Sequence, residues 1–332
     1  MDELVVFIYL GEDVVYIIIN IILLVVGFVI LIKGADIFVD GASNVARNFK
    51  VSKMLIGLTI VAFGTSAPEF AVSVKGLLSG SFDIVLGNVI GSNILNILLI
   101  LGVSALIHPL VVKNNTVKKE LPITLLITTL FAVLLSDNIF DRKMVNNFTR
   151  GDGIVLILFF LVFIYYLITL MRNKVEDEKE EETWSLSKSI LFTILGLVMI
   201  IIGSNFVVDS ASFLAKAIGI SERIISLTII ALGTSLPELV TSVMATKKGE
   251  YDIAIGNVVG SNIFNIGIVI GLPVTIFGGI SKIAFSYIDL IVMIGTALLL
   301  FIFSRNDYKI KKSEGIAFLV IFVIYYSYVI LG

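Results

Sequence analysis

The hexapeptide Gly64-Thr65-Ser66-Ala67-Pro68-Glu69 puts a carboxylate into apolar surroundings, and the chain writes it twice. The second copy is Gly233-Thr234-Ser235-Leu236-Pro237-Glu238, displaced by 169 positions. A second phrase trails each copy: Gly87-Asn88-Val89-Ile90-Gly91-Ser92-Asn93-Ile94-Leu95-Asn96-Ile97, then Gly256-Asn257-Val258-Val259-Gly260-Ser261-Asn262-Ile263-Phe264-Asn265-Ile266. The same offset relates Gly34 to Gly203 and Asp40 to Asp209. Between 34 and 97 the ungapped alignment with the second copy is identical at roughly half its positions. The chain carries an internal duplication, and any fold assigned to it must place two copies of one unit.

Glu69 lies within Met54–Leu78, a run long enough to cross a bilayer at ~1.5 Å per helical residue. An ionisable side chain there costs at least ~2.5–3.5 kcal/mol, so it faces a partner, a cavity or an ion. Pairing with a buried Lys or Arg is the plain structural alternative. No basic residue stands in the central part of the apolar runs of either copy, and Lys33 is near the end of one.

Composition agrees with a membrane setting. Of 332 residues, 58% are hydrophobic and 15% charged, and the mean hydropathy is +1.06. A net charge of -2 with no basic tract argues against a nucleic-acid partner. With no Cys there is no disulfide, thiolate metal site or thiol nucleophile. The single histidine, His108, precedes Pro109 at the end of an apolar run and reads as an interfacial loop residue. Asp2, Glu3, Glu12 and Asp13 stand where a cleavable signal would need basic residues.

The apolar runs predict an all-α polytopic membrane protein with ten transmembrane helices, near 16–46, 51–79, 83–108, 119–136, 151–172, 187–217, 220–247, 252–278, 284–304 and 313–331. The first and sixth are long enough to tilt or project past the bilayer. Residues 1–172 form the first five-helix repeat, 173–186 an acidic cytoplasmic linker and 187–332 the second repeat. Five helices per repeat reverses the polarity of the second, the inverted-topology plan of many secondary transporters. With both termini outside, sixteen loop Lys and Arg fall inside against seven outside, which favours that orientation. The linker, with Glu176-Asp177-Glu178-Lys179-Glu180-Glu181-Glu182, reads as solvated and is too short to hold a folded domain.

On a helix, Thr65 and Ser66 share a face with Glu69, and the Ala62 backbone lies one turn before Thr65. Pro68 has no N–H for the Gly64 carbonyl and its ring clashes with that carbonyl, so the helix kinks or breaks; Pro237 acts likewise on Gly233. Carbonyls freed in a membrane need protein, water or a cation. In the second phrase Ser92 shares a face with Asn96, and Ser261 with Asn265, while the Gly87/Gly91 and Gly256/Gly260 spacings permit close helix packing. The donors are carboxylates, hydroxyls, amides and carbonyls. Such an all-oxygen set suits a hard cation such as Ca²⁺, which takes ~6–8 oxygens, and disfavours soft metals. Two ionised glutamates balance one divalent cation. The same oxygens can hold Na⁺ or be protonated instead, and mutually exclusive occupancy is the basis of exchange.

The paired phrases resemble the α-repeats of the sodium/calcium exchanger family within the cation/calcium antiporter superfamily, and the resemblance covers nearly the whole chain. It implies central carboxylates at Glu69 and Glu238, with carbonyls and hydroxyls of Thr65 and Thr234 approaching the ions. It implies hydroxyl ligands at Ser66, Ser235, Ser92 and Ser261, backbone carbonyls at Ala62 and Ala231 for outer sodium sites, and an amide at Asn96. Asn265 departs from relatives that carry Asp there, which fits potassium-independent exchange. The resemblance implies Na⁺/Ca²⁺ antiport by alternating access, with the first and sixth helices sliding past a fixed core, in a prokaryotic plasma membrane. It implies no cofactor and no obligatory protein partner beyond the lipid bilayer.

A Ca²⁺/H⁺ antiporter on the same fold is the alternative. Proton-coupled relatives carry a GNxxE-type motif, whereas each GN phrase here continues to Ser and Asn. A cation channel would more naturally ring identical residues about an oligomeric axis. An enzyme is weaker still, because Ser66 and Ser235 have no plausible His partner.

Overall fold

Glycine decides how the two longest helices meet. In the computed structural model, which describes residues 2–140, 146–172, 184–220, 229, 231–283 and 286–331, α1 spans Asp2–Phe49 and α8 spans Leu186–Ala217. They run antiparallel, backbone against backbone. A Cβ on Gly27 would stand 3.1 Å from the Gly203 carbonyl oxygen, and one on Gly34 3.0 Å from that of Gly196. Gly27 and Gly196 are counterparts in the duplication, as are Gly34 and Gly203, so the contact is made twice under one pseudo-twofold relation. The heptad spacing of small residues permits this approach.

The remaining helices form the body of the molecule. Lys53–Thr65 (α2) and Ala67–Leu78 (α3) are two pieces of one run, bent by 46°. Then come Phe82–Ile107 (α4), Leu121–Leu134 (α5) after a π-helical turn at Thr116–Glu120, a short turn Asp137–Phe140 (α6), and Arg150–Arg172 (α7). The second half supplies Ala231–Thr234 (α9), Leu236–Lys247 (α10), Tyr251–Phe277 (α11), Tyr287–Arg305 (α12) and Lys312–Leu331 (α13). Among the described residues seven helices are long and apolar enough to cross a membrane, or eight if α2 and α3 count as one span. The two other expected spans fall short for identifiable reasons. Helix α5 has 14 residues behind a turn containing Lys118, Lys119 and Glu120, and part of the 220–247 run lies outside the described residues. So does most of the acidic linker, 173–183.

The first membrane span, expected near 16–46, is Val15–Phe49, within a helix that runs from Asp2. One expectation needs correction: the fold is nearly rather than wholly α-helical. Strand β1 (Leu110–Val111) pairs antiparallel with β4 (Lys309–Ile310), and β2 (Asn146–Phe148) with β3 (Ile280–Ile283). Each pairing ties a connection of one half to a connection of the other.

The centre of the body is α4 and α11. Leu98, Ile100, Leu101, Val258, Ile263 and Val269 are fully buried. At the periphery Val25, Val29, Leu158, Val162, Ile291 and Val323 are exposed, as apolar side chains facing acyl chains are. Gly256 and Gly260 seat α11 against α2: Cβ atoms there would lie 3.0 Å from Gly57 Cα and 2.7 Å from Ala62 Cβ. Among the described residues nothing lies within 4 Å of a Cβ built on Gly87 or Gly91.

Candidate functional site

The break that proline forces also aims the serines. Ser66 sits between α2 and α3 with φ −82° and ψ 8°, and Ser235 sits between α9 and α10 with φ −91° and ψ 5°. Both occupy an N-cap position, yet neither hydroxyl caps its own helix. Pro68 and Pro237 follow in the first turn, where a missing N–H costs least, and Glu69 and Glu238 come next. Each carboxylate therefore stands in the first turn of a helix, at the positive end of its dipole.

The free serine hydroxyls cross to the other copy. Ser66 Oγ donates to Glu238 Oε1 at 2.9 Å, and Ser235 Oγ reaches Glu69 Oε1 at 3.4 Å. Ser261 Oγ adds a contact to Glu238 Oε1 at 3.4 Å, and Ser92 Oγ lies 3.3 Å from Ser235 Oγ. Glu69 and Glu238 are 1% and 0% exposed, and the Oε2 of each has no hydrogen-bond partner. Among the described residues no lysine or arginine pairs with either carboxylate. That removes the buried-ion-pair reading for them.

Two asparagines brace these glutamates from behind. Asn88 Nδ2 donates to the Glu69 carbonyl at 3.0 Å and to Ser73 Oγ at 3.1 Å. Its counterpart Asn257 donates to the Glu238 carbonyl at 3.3 Å and to Ser242 Oγ at 2.9 Å. Asn257 Oδ1 also lies 3.0 Å from the Thr65 hydroxyl, which bonds back to the Val61 carbonyl at 3.0 Å. The sequence reading passed over Asn88, Asn257, Ser73 and Ser242. Their signal was present, since all four recur as identical pairs under the 169-residue offset.

The other expected residues lie around this centre. The Ala62 carbonyl accepts the Ser66 N–H at 3.0 Å and the Thr65 hydroxyl at 3.4 Å; Ala231 opens α9. Thr234 lines a crevice of ≈ 380 Å³ with Pro68, Ser204, Asn205 and Asp209. Asn96 and Asn265 each open a π-helical segment, Asn96–Leu101 and Asn265–Ile270, the local widening that recurs at functional sites. Asn96 Nδ2 donates to Asn262 Oδ1 at 2.9 Å and its own Oδ1 has no partner. Both polar atoms of Asn265 lack partners, although its exposure is 0%. Buried polar atoms rarely stay unsatisfied in a finished site. Four of them here (on Glu69, Glu238, Asn96 and Asn265) are oxygens suited to a cation. Among the described residues no three His, Cys, Asp or Glu side chains gather, so hydroxyls, amides and carbonyls must complete any coordination shell. His108 is outside this group: it is exposed and stacks on Tyr251 with centroids 5.1 Å apart.

The sequence model of the family described as "Sodium/calcium exchanger protein" matches residues 19–169 and 188–331, nearly all of both halves. The chain belongs to the sodium/calcium exchanger family. Among similar proteins, the sodium/calcium exchanger MaX1 of Methanosarcina acetivorans is 33% identical over 316 residues, covering 85% of this chain and 90% of its own. Inner membrane protein YrbG of Escherichia coli is 39% identical over 256 residues, covering 74% and 76% respectively. A solved structure of the sodium-calcium exchanger NCX_Mj superposes with a TM-score of 0.80 at 34% identity, covering 93% of this exchanger-family chain and 98% of its own.

Proposed function

We propose that this exchanger-family member is a secondary antiporter that moves Ca²⁺ and Na⁺ in opposite directions through one mid-membrane site, by alternating access. The observation that carries the reading is the reciprocal serine–glutamate contact. Each carboxylate is oriented by a hydroxyl from the other half and keeps one oxygen free. A site divided between two half-structures is reshaped when those halves move, which links occupancy to access.

In this reading Glu69 and Glu238 bind Ca²⁺ and neutralise it. Thr65, Thr234, Ser66, Ser235, Ser92, Ser261, Asn96 and Asn265 supply neutral oxygens, and the Ala62 and Ala231 carbonyls serve outer Na⁺ positions. Na⁺ ions entering the same oxygens displace Ca²⁺, because two carboxylates cannot balance both loads in a low-dielectric interior. The architecture is ten membrane helices in two inverted repeats. The antiparallel α1–α8 pair moves against a body tied together by the β1–β4 and β2–β3 pairings. The membrane is a prokaryotic plasma membrane with both termini outside. MaX1 and NCX_Mj, named as exchangers of sodium and calcium, support the choice of ions.

The test is uptake of radiolabelled Ca²⁺ by proteoliposomes loaded with Na⁺ and diluted into Na⁺-free buffer at constant pH. Uptake that needs internal Na⁺ and survives a protonophore is expected. Uptake that ignores Na⁺ and follows an imposed pH gradient would reassign the counter-ion to H⁺.

A further inference from the structure

Two turns related by the duplication share a backbone and differ in charge. After α3, Gly80 at φ 72° lets Ser81 N–H return to the Gly76 carbonyl at 2.8 Å. After α10, Gly249 at φ 75° lets Glu250 N–H return to the Ala245 carbonyl at 2.8 Å. The left-handed glycine closes both helices in the same way. The flanking side chains are Ser79 and Ser81 in the first turn, Lys248 and Glu250 in the second.

The charged turn is fastened to α1. Lys248 Nζ lies 2.8 Å from Asp36 Oδ1 and 2.5 Å from Asp40 Oδ1, and it donates to the Asp36 carbonyl at 2.8 Å. Glu250 pairs with Lys53 at 2.7 Å and accepts from Ser43 Oγ at 3.0 Å. At the opposite end, the counterparts of Asp36, Asp40 and Ser43 on α8 are Asn205, Asp209 and Ser212. There Ser79 Oγ bonds within its own turn, to the Gly76 carbonyl at 3.2 Å and to Ser81 Oγ at 3.0 Å, and Ser212 Oγ has no hydrogen-bond partner among the described residues. The crevice lined by Ala71, Asn205 and Asp209 opens between α3 and α8 at that end.

We propose that the Lys248–Asp36–Asp40 and Lys53–Glu250–Ser43 contacts form a one-sided latch, which holds α1 against the turn after α10 and biases the transporter toward the state open beside Asp209. The proposal rests on the alternating-access reading above. With identical halves, the two access states of a pseudo-twofold transporter would be equal in free energy. Opening the Asp40 end breaks these ion pairs, while at the Asp209 end Ser79 stands where a counterpart of Lys248 would be needed, so among the described residues that turn offers no equivalent of the Lys248 pairs. The Lys248 side chain is 22% exposed and those of Asp36 and Asp40 are 41% and 43%, so water screens the pairs. A bias of roughly three- to tenfold is the scale such partly exposed pairs give. The Lys and Arg distribution assigns the latched end to the cytoplasmic face.

The cysteine-free chain allows a direct test. Ala71→Cys and Val240→Cys mark counterpart positions at the two ends, and their labelling rates with a hydrophilic maleimide are compared in purified protein. In Na⁺ alone Ala71→Cys should react faster than Val240→Cys. Adding Lys248→Ser should move the ratio of rates toward Val240→Cys by roughly three- to tenfold, and Lys248→Arg should restore it. Ser79→Lys with Asn205→Asp builds the latch at the other end and should slow Ala71→Cys. Lys248→Met reads the same ratio if Lys248→Ser fails to fold. A ratio that responds to exchanging Na⁺ for Ca²⁺ but ignores Lys248→Ser and Lys248→Met overturns the latch alone. Rates that ignore ions and substitutions alike overturn the alternating-access reading with it.

Discussion

Ser66 and Glu238 are 172 positions apart in the chain, and the serine hydroxyl donates to the carboxylate at 2.9 Å. The contact exists because Pro68 breaks the helix at Ser66 and leaves that hydroxyl without a capping duty. Its counterpart, Ser235 to Glu69, is longer at 3.4 Å. One local sequence device, used twice, thus builds a site that neither half contains alone.

Replacing either carboxylate removes a charge the neutral donors cannot supply. Glu69→Gln and Glu238→Gln should each lower Ca²⁺ transport by more than the roughly 10–100-fold that loss of an outer partner brings to a metal site. The amide is nearly isosteric, so membrane expression should persist. Ca²⁺ flux in proteoliposomes, normalised to reconstituted protein, checks this.

The asparagine brace holds the backbone on which each glutamate rides. Asn88→Ala should weaken Ca²⁺ transport, and Asn257→Ala should weaken it further, because Asn257 also receives the Thr65 hydroxyl. A loss within roughly 10–100-fold is expected for a positioning partner. The readout is KM for Ca²⁺ beside the maximal rate: a misplaced glutamate raises KM, whereas mere instability lowers the amount of active protein and leaves KM alone.

Helix pairing gives a prediction of opposite sign at two glycines. A Cβ on Gly203 would stand 2.6 Å from Leu31 N and 2.9 Å from the Gly27 carbonyl oxygen, both backbone atoms that cannot step aside. Gly203→Ala should destabilise by about 1–3 kcal/mol, as overpacking does. Among the described residues nothing lies within 4 Å of a Cβ on Gly295, in α12, so Gly295→Ala should be neutral or stabilising by up to about 1 kcal/mol. Thermal unfolding in detergent separates the two.

The duplication, the apolar runs, the proline break and the carboxylate–hydroxyl inventory were all legible in the sequence, because each is local or repeats at a fixed offset. What escaped it is set by distance or direction. Nothing in Gly64–Glu69 reveals that Ser66 serves Glu238 rather than Glu69. Asn88 and Asn257 act on main-chain carbonyls, whose direction follows from how α3 lies on α4 and α10 on α11. Strands of two to four residues, such as Leu110–Val111 and Ile280–Ile283, carry no alternation to read. Lys248 was visible only as one loop charge; its bond to Asp36 and Asp40 needs α1 brought alongside.

The central claim is that Ca²⁺ and Na⁺ occupy one set of oxygens in turn. Calorimetric titration of Ca²⁺ into the purified protein at fixed pH, repeated across rising Na⁺, tests it most directly. The account predicts an apparent Ca²⁺ affinity that falls without limit as Na⁺ rises, with the bound Ca²⁺ stoichiometry unchanged, and no Ca²⁺ binding in the Glu69→Gln, Glu238→Gln double variant. An affinity that levels off at high Na⁺, with both ions bound together, would contradict it.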